Sequence, residues 1–142
     1  FRTLVLFWML AAIDGHAKNF SVAIEPRGLF HLTPRYDVLS AYPMMGTRAG
    51  QLSPQKVRMA MAVWKINRHY RWSEMRRAHF EHTAKACRIP HAAQLIDELV
   101  ERTPQALQQV RQALPEKFPT AVARSILAGV QQAAKTLSAK QR

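Results

Sequence analysis

The sequence predicts one mainly α domain with a small antiparallel β-hairpin, assigned to residues 1–142. Three observations support this prediction. The chain has 142 residues, of which 48% are hydrophobic, enough for a single domain with its own core. Apolar residues recur at helical spacing in the C-terminal part. Two short β-like segments near the N-terminus flank a turn sequence.

The first element is an apolar segment, Phe1 to Ala12, which we predict to be a buried helix that ends where Asp14 and Gly15 break the pattern. The segment is shorter than the roughly 20 apolar residues that span a bilayer, so no membrane partner is expected. Because the sequence opens at Phe1 inside this helix pattern and lacks an initiator Met, we expect it to be the tail of a longer protein.

A hairpin is predicted next, from Phe20–Ile24 and Leu29–Thr33. The intervening "EPRG" contains Pro26 and Gly28, which are turn residues. Since the two ends of a hairpin lie side by side, this element should bring Asn19 close to Asp37.

From Ser53 onward the composition predicts helices through the C-terminal two-thirds of the chain. Helix starts are predicted at Ser53-Pro54, Ser73, Thr103-Pro104 and Thr120, where cap residues or first-turn prolines occur. Two stretches show amphipathic core spacing: Leu95, Ile96, Leu99 and Val100, and then Val122, Ile126, Leu127 and Val130.

The charge balance is strongly basic. The chain has 21 Lys and Arg, 9 Asp and Glu and a formal net charge of +12, which favours polyanionic partners such as nucleic acid, phosphates or an acidic protein. The single cysteine, Cys87, excludes an internal disulfide and suits a reducing cytoplasm, the location we expect. We predict that Cys87 is a small core or boundary residue.

The polar residues most suggestive of chemistry follow the first helix in the stretch "AIDGHAKNF". Phosphoryl transfer from ATP needs a carboxylate that accepts the substrate hydroxyl proton, and an Asn and an Asp that hold Mg²⁺. Asp14 and Asn19 have the five-residue spacing that protein kinases use, and Asp37 follows at the far end of the hairpin. Lys18 can neutralise phosphoryl charge, and His16 can orient the loop or donate a hydrogen bond.

Spacing alone leaves a structural alternative open. Asp14 could cap a helix or turn, His16 could be a surface histidine, and Asp37 an ordinary loop acid. An EF-hand is disfavoured because His16 and Lys18 occupy positions that need oxygen ligands. A zinc site is disfavoured because the six histidines show no paired ligand pattern, and only His79 and His82 have helical i, i+3 spacing.

Several stretches together resemble the C-terminal part of the HipA-type toxin kinases, over essentially the whole chain. The most specific are "DGHAKNFSV" and "LTPRYDVLSAYP", with "NRHYRW", "RRAHF" and "ALPEKFP" further on. This family consists of serine/threonine protein kinases of bacterial toxin–antitoxin modules, linked to growth arrest and persistence. Its members pair with a DNA-binding HipB-type antitoxin.

The resemblance implies a role for each residue of the constellation. Asp14 matches the catalytic Asp, Asn19 the magnesium-binding Asn, and Asp37 the magnesium-binding Asp that eukaryotic kinases carry in "DFG". His16 and Lys18 are supporting groups, with Lys18 also near the ATP phosphates. The resemblance further implies operator DNA bound mainly through the antitoxin, and a protein substrate, for which an aminoacyl-tRNA synthetase is the family's example.

Parts of an ATP site are absent from the sequence, which has no Gly-rich nucleotide loop, no ATP-anchoring Lys and no activation segment. The family places these parts in an N-terminal lobe. We therefore expect the 142 residues to be catalytically inert alone and to act as part of a full-length kinase with ATP and Mg²⁺.

A rival hypothesis is a non-catalytic helical module that binds nucleic acid or an antitoxin through a basic face. Between Ser53 and Phe80, basic residues alternate with Trp64, Tyr70 and Trp72, a composition that can bind phosphates or stack on bases. The basic residues are Arg58, Lys65, Arg68, His69, Arg71, Arg76 and Arg77. The structural alternative is a solvated basic face whose aromatic rings point into the core. A purely structural module predicts that Asp14, Asn19 and Asp37 do not converge.

Overall fold

Helix α1 spans Arg2–Met9 in the computed structural model, which describes residues 1–138. The sequence predicted that this helix continues to Ala12. It ends earlier because Ala11 takes a left-handed φ of 49°, while the N–H of Ala12 still bonds back to the carbonyl of Phe7 at 2.8 Å. The chain thereby turns out of the helix three residues before the break at Asp14 and Gly15.

The predicted hairpin is present. Strands β1 (Val22–Ile24) and β2 (Phe30–Leu32) pair antiparallel, with Ala23 opposite His31. Between them Arg27 and Gly28 both take positive φ values, 69° and 78°, and so reverse the chain.

A second antiparallel hairpin follows where the sequence predicted only helix. Strand β3 (Arg58–Trp64) pairs with β4 (Arg68–Arg71), with a bulge between Arg58 and Val63. The prediction of a helix from Ser53-Pro54 was wrong because the inward side chains of β3, Met59 and Val63, are buried in the core. The fold class remains mainly α, with two small hairpins instead of one.

Three helices follow within residues 1–138: α2 (Arg77–Ala86), α3 (Ala92–Ala113) and α4 (Thr120–Ser138). The predicted start at Thr120 is confirmed. Ser73 lies instead in a short 3-10 turn before α2, and α3 continues straight through Pro104. An interior proline costs a helix about 3 kcal/mol, which the packing of α3 against α1, α2 and α4 outweighs.

The core is built around α1. Phe7, Trp8 and Met9 are buried and share one hydrophobic cluster with residues from β3 and all three later helices, including Phe80 and Ile96. Cys87 was predicted to be a core or boundary residue and is exposed, because it follows the last residue of α2. Within residues 1–138, no helix combines the length and apolar character needed to cross a membrane.

Two tryptophans join α1 to the segment that follows β4. The indole N–H of Trp8 donates to the carbonyl of Trp72, and the indole N–H of Trp72 donates to the carbonyl of Trp8, both at 2.9 Å. The rings stack with centroids 6.2 Å apart. This reciprocal pair satisfies both indole donors inside the core.

Arg77 joins α2 to α3 and α4. Its side chain is 9% exposed, and its guanidinium bonds Glu81 Oε1 at 2.7 Å and both carboxylate oxygens of Asp97 at 2.5 and 3.2 Å. It also donates to the carbonyls of Ala93 and Leu137. The sequence had grouped Arg77 with the basic surface, whereas the structure buries it as an ion-paired helix junction.

Candidate active site

The loop from α1 to β1 is fixed to the core at two points. The carbonyl of Ile13 accepts a hydrogen bond of 2.8 Å from the N–H of Ala60 in β3. Gly15 lies against the ring of Phe7 so closely that a Cβ there would be 2.3 Å from Phe7 Cδ2. Between these two anchors Asp14 is exposed, and its carboxylate makes no hydrogen bond or ion pair with residues 1–138.

Asn19 is the buried polar residue of this loop, with 3% of its surface exposed. It ends a 3-10 turn, Ala17–Asn19. Its side-chain oxygen accepts the N–H of His16 at 2.8 Å, and its amide nitrogen donates to Asp37 Oδ2 at 3.2 Å. Asn19 and Asp37, 18 residues apart in sequence, are therefore in direct contact.

Asp37 reaches Asn19 because the segment after β2 is tied back to the residues before β1. The hydroxyl of Tyr36 donates to the carbonyl of Lys18 at 2.8 Å and lies 2.7 Å from the hydroxyl of Ser21. The backbone of Asp37 then takes a left-handed φ of 57°, a conformation that Asp tolerates better than most residues. Its side chain is exposed, in contrast to the buried Asn19 that it contacts.

His16 and Lys18 act in this arrangement through their backbones. The N–H of His16 and the carbonyl of Lys18 hold Asn19 and Tyr36, respectively. The Nδ1 atom of His16 is buried and has no hydrogen-bond partner within the described part of the chain, while Lys18 is exposed. The supporting roles predicted for their side chains stay predictions.

Sequence reasoning did not assign a role to Tyr36 or to Arg35. Arg35 stacks on the ring of Phe20, with its guanidinium carbon 4.6 Å from the ring centroid. Both residues lie inside the quoted segment "LTPRYD", so the motif identified the right stretch of sequence without assigning these two residues a role. Their contacts could not be predicted, because one acceptor is a backbone carbonyl and the other is the face of a ring.

The donor atoms of this pair suit Mg²⁺. A carbonyl oxygen has two lone pairs, so Asn19 Oδ1 keeps one beyond the bond from His16, and Asp37 Oδ1 has no hydrogen bond among residues 1–138. In the same range, no group of three or more His, Cys, Asp or Glu side chains could form a protein cage for a metal. Two hard oxygens without a cage suit an ion that keeps its waters and is completed by substrate phosphates.

The sequence matches the family model of the HipA-like C-terminal domain over residues 1–107, about three quarters of the chain. The chain belongs to this HipA-like family. Its fold is also similar to a chain in the Shewanella oneidensis MR-1 complex of the toxin–antitoxin proteins HipA and HipB with operator DNA.

The structural match has a TM-score of 0.73 at 18% sequence identity. It covers 96% of this chain, which spans 30% of the length of the Shewanella chain. The resemblance read from the sequence motifs is thereby confirmed at the level of the family and the fold. The HipA-like domain described here carries the Asn19–Asp37 contact within the matched residues.

Proposed function

We propose that this HipA-like domain supplies the catalytic loop and the metal ligands of a serine/threonine protein kinase in a toxin–antitoxin system. The observation that carries the proposal is the contact between the buried Asn19 amide and the Asp37 carboxylate. A hairpin that returns Asp37 to Asn19 creates the pair of oxygen ligands that phosphoryl transfer requires.

Each residue of the loop has a distinct task in this proposal. The exposed carboxylate of Asp14 accepts the proton of a substrate serine hydroxyl as the serine oxygen bonds to the γ-phosphorus of ATP and the bond to ADP breaks. Asn19 and Asp37 would hold Mg²⁺, which would neutralise charge on the phosphates when bound. Lys18, exposed on the same loop, adds a further positive charge.

The remaining ATP contacts belong to parts of the kinase outside these 142 residues, in keeping with the sequence's lack of a Gly-rich loop and an ATP-anchoring Lys. We further propose a HipB-like antitoxin as partner, operator DNA reached mainly through it, and a cytoplasmic protein substrate such as an aminoacyl-tRNA synthetase. Phosphorylation of that substrate would cause growth arrest and persistence.

The test is transfer of radiolabelled phosphate from ATP and Mg²⁺ by the full-length protein that carries this domain. We expect Asp14→Asn and Asp37→Ala each to abolish incorporation, and Glu25→Gln, an exposed acid of the same hairpin, to retain it. Unchanged incorporation in either site variant would refute the assignment. A folded parent that binds ATP but incorporates none would favour a degenerate kinase that serves as a docking scaffold.

A companion measurement needs only the 142 residues. Mn²⁺, a paramagnetic substitute for Mg²⁺, should broaden the NMR signals of Asn19 and Asp37 more than those of Glu25 and His31, which form an exposed pair on the hairpin. The broadening should disappear in Asp37→Ala. Uniform broadening over all acids would show that the pair is not a metal site.

A further inference from the structure

The turn between α3 and α4 borders a cleft that the kinase proposal does not use. The turn belongs to the stretch "ALPEKFP", residues 113–119, which contributes no side chain to the candidate active site. The cleft has a volume of about 460 Å³, within the range of ligand sites in proteins. The family match ends at residue 107, so this cleft, which we name the turn cleft, is lined by residues outside that match.

The turn cleft has an apolar interior and a cationic edge. Leu127 is 9% exposed, and Leu114 and Phe118 are half-buried. Arg111, from the last turn of α3, and Arg124, from α4, are both exposed. Within residues 1–138, no acidic residue lines this cleft. The fold thus places two positive charges beside an apolar surface.

Both arginines lack an acidic partner in the described part of the chain. Neither forms an ion pair there. Residues 102–138 contain five Lys or Arg and one acid, Glu116, which lies in the turn but does not line the cleft. A guanidinium binds a carboxylate through two parallel hydrogen bonds, so two unpaired arginines favour an acidic ligand.

The turn cleft is already formed in the free protein. The N–H of Phe118 donates to the carbonyl of Pro115 at 2.9 Å, and the N–H of Ala123 donates to the carbonyl of Pro119 at 3.1 Å. These bonds fix the turn, and the packing of α3 against α4 fixes the two helices that carry the arginines. A ligand therefore binds without the entropy cost of ordering the turn, which increases its affinity.

Charge and shape favour an acidic peptide over other anions. A small metabolite needs a pocket that encloses most of its surface, whereas the turn cleft stays open at its exposed arginines. Single-stranded nucleic acid needs several open rings for base stacking, and Phe118 is the one aromatic residue that lines the cleft within residues 1–138. A duplex offers phosphates but no apolar group for the interior. A peptide with carboxylates around one apolar side chain matches both parts of the cleft.

We infer that the turn cleft binds an acidic peptide segment of a partner protein. The carboxylates of the peptide bind Arg111 and Arg124, and one apolar side chain packs against Leu114, Phe118 and Leu127. The inference does not depend on kinase chemistry, because none of these residues belongs to the candidate active site.

The test uses the fluorescein-labelled peptide Glu-Glu-Phe-Glu-Glu and the 142-residue chain, with Kd measured by fluorescence anisotropy at low salt. Arg111→Gln/Arg124→Gln should weaken binding at least about tenfold, because the variant removes both partners of the peptide carboxylates. Arg111→Lys/Arg124→Lys should have an intermediate Kd, since it keeps both charges but loses the paired hydrogen bonds. Unchanged binding by the Gln variant would overturn the inference.

The apolar interior is tested by changing the peptide. Glu-Glu-Ala-Glu-Glu has the same charge without the ring and should bind at least about tenfold more weakly. Leu114→Ala should narrow this difference, because the ring then loses one of its contacts. Leu114 is half-buried, and circular dichroism checks that this variant stays folded. Equal affinities of the two peptides for the wild-type chain would show attraction by charge alone and would contradict the proposed site.

The matched control is Arg27→Gln/Arg48→Gln. Both arginines are exposed, form no ion pair among residues 1–138 and do not line the turn cleft. This variant lowers the net charge of +12 by the same two units. We expect its Kd for Glu-Glu-Phe-Glu-Glu to stay close to that of the wild type. Equal weakening by the two Gln variants would attribute binding to net charge and remove the case for a specific site.

Duplex DNA is the competing ligand for two arginines. Its affinity for Arg111→Gln/Arg124→Gln should equal its affinity for the control variant, because both variants have the same net charge. A selective loss of duplex binding in Arg111→Gln/Arg124→Gln, with peptide binding unchanged, would assign these arginines to nucleic acid and refute the peptide site.

Discussion

Replacing Gly15 with alanine tests how the loop that carries Asp14 is held against α1. An alanine Cβ at this position would lie 2.3, 2.6 and 2.9 Å from Cδ2, Cε2 and Cγ of the Phe7 ring. Carbon atoms in contact are normally about 3.5 to 4.0 Å apart, so the loop or the ring must move by roughly 1 Å. Phe7 is 2% exposed in the core, which leaves little room for that movement.

The expected cost follows from this overlap. Extra methyl groups forced into a packed core destabilise a protein by about 1 to 3 kcal/mol. We expect Gly15→Ala to lower the free energy of unfolding in urea by this amount. If the ring is the cause, Phe7→Leu should relieve part of the clash, so the two changes together should cost at least about 1 kcal/mol less than the sum of the single changes.

A matched cycle supplies the control. Gly28 takes a positive φ of 78° but has no atom within 4 Å of an added Cβ, so alanine there strains the backbone without contacting the core. Gly28→Ala and Phe7→Leu should therefore add to within about 0.5 kcal/mol. Additive costs in the Gly15 cycle would refute the reasoning, because the loss would then come from the backbone rather than from the contact with Phe7.

Two further predictions concern the ion pairs of Arg77 and the buried His79. Arg77→Met should lower the free energy of unfolding by about 2 kcal/mol, because it removes the buried guanidinium that bonds Glu81, Asp97 and the carbonyls of Ala93 and Leu137. Arg71→Met, at an exposed ion pair, should cost less than about 1 kcal/mol. Equal losses in urea unfolding would contradict the role of Arg77 as a helix junction. Burial, with the nearby charge of His69, lowers the pKa of His79 in the folded protein. As the pH falls, the histidine in the unfolded chain is therefore protonated at a higher pH than in the folded protein. The free energy of unfolding should then decrease as the pH drops below about 6.5. The N–H of Arg76, the residue before α2, donates to His79 Nδ1 at 3.1 Å. His79→Gln keeps a side-chain acceptor for this N–H and should make the urea midpoint depend less on pH between about pH 7.5 and 5.5. An unchanged pH dependence would exclude His79 as its source.

Local signals predicted the first hairpin and failed for the second. Pro26 and Gly28 mark the first turn, and a turn is a local event. The second hairpin contains the sequence "MAMAV", in which Met and Ala are good helix formers, so propensity alone favours a helix. The burial of Met59 and Val63 against distant helices determines the strand, and that packing is not visible in a short window of sequence.

The candidate site divides in the same way. The grouping of Asp14, Asn19 and Asp37 could be predicted because these residues lie in two short motifs that one predictable hairpin joins. The hydrogen bond from the Tyr36 hydroxyl to the carbonyl of Lys18 could not be predicted, since its acceptor belongs to the backbone. Arg77 was misplaced because a charged residue is normally exposed, and Asp97, which binds its guanidinium with both carboxylate oxygens, comes from another helix, α3.

The reciprocal bonds between Trp8 and Trp72 have a consequence for the order in which the protein folds during synthesis. The two residues are 64 positions apart, and closing a loop of that length costs about 4 kcal/mol of chain entropy by a simple polymer estimate. Asp14, Asn19 and Asp37 all lie inside this loop, so a ribosome translates them before Trp72 exists. The residues of the candidate site therefore emerge on the nascent chain before the hydrogen bonds between Trp8 and Trp72 can form, and these bonds form only after the second hairpin and Trp72 have been made.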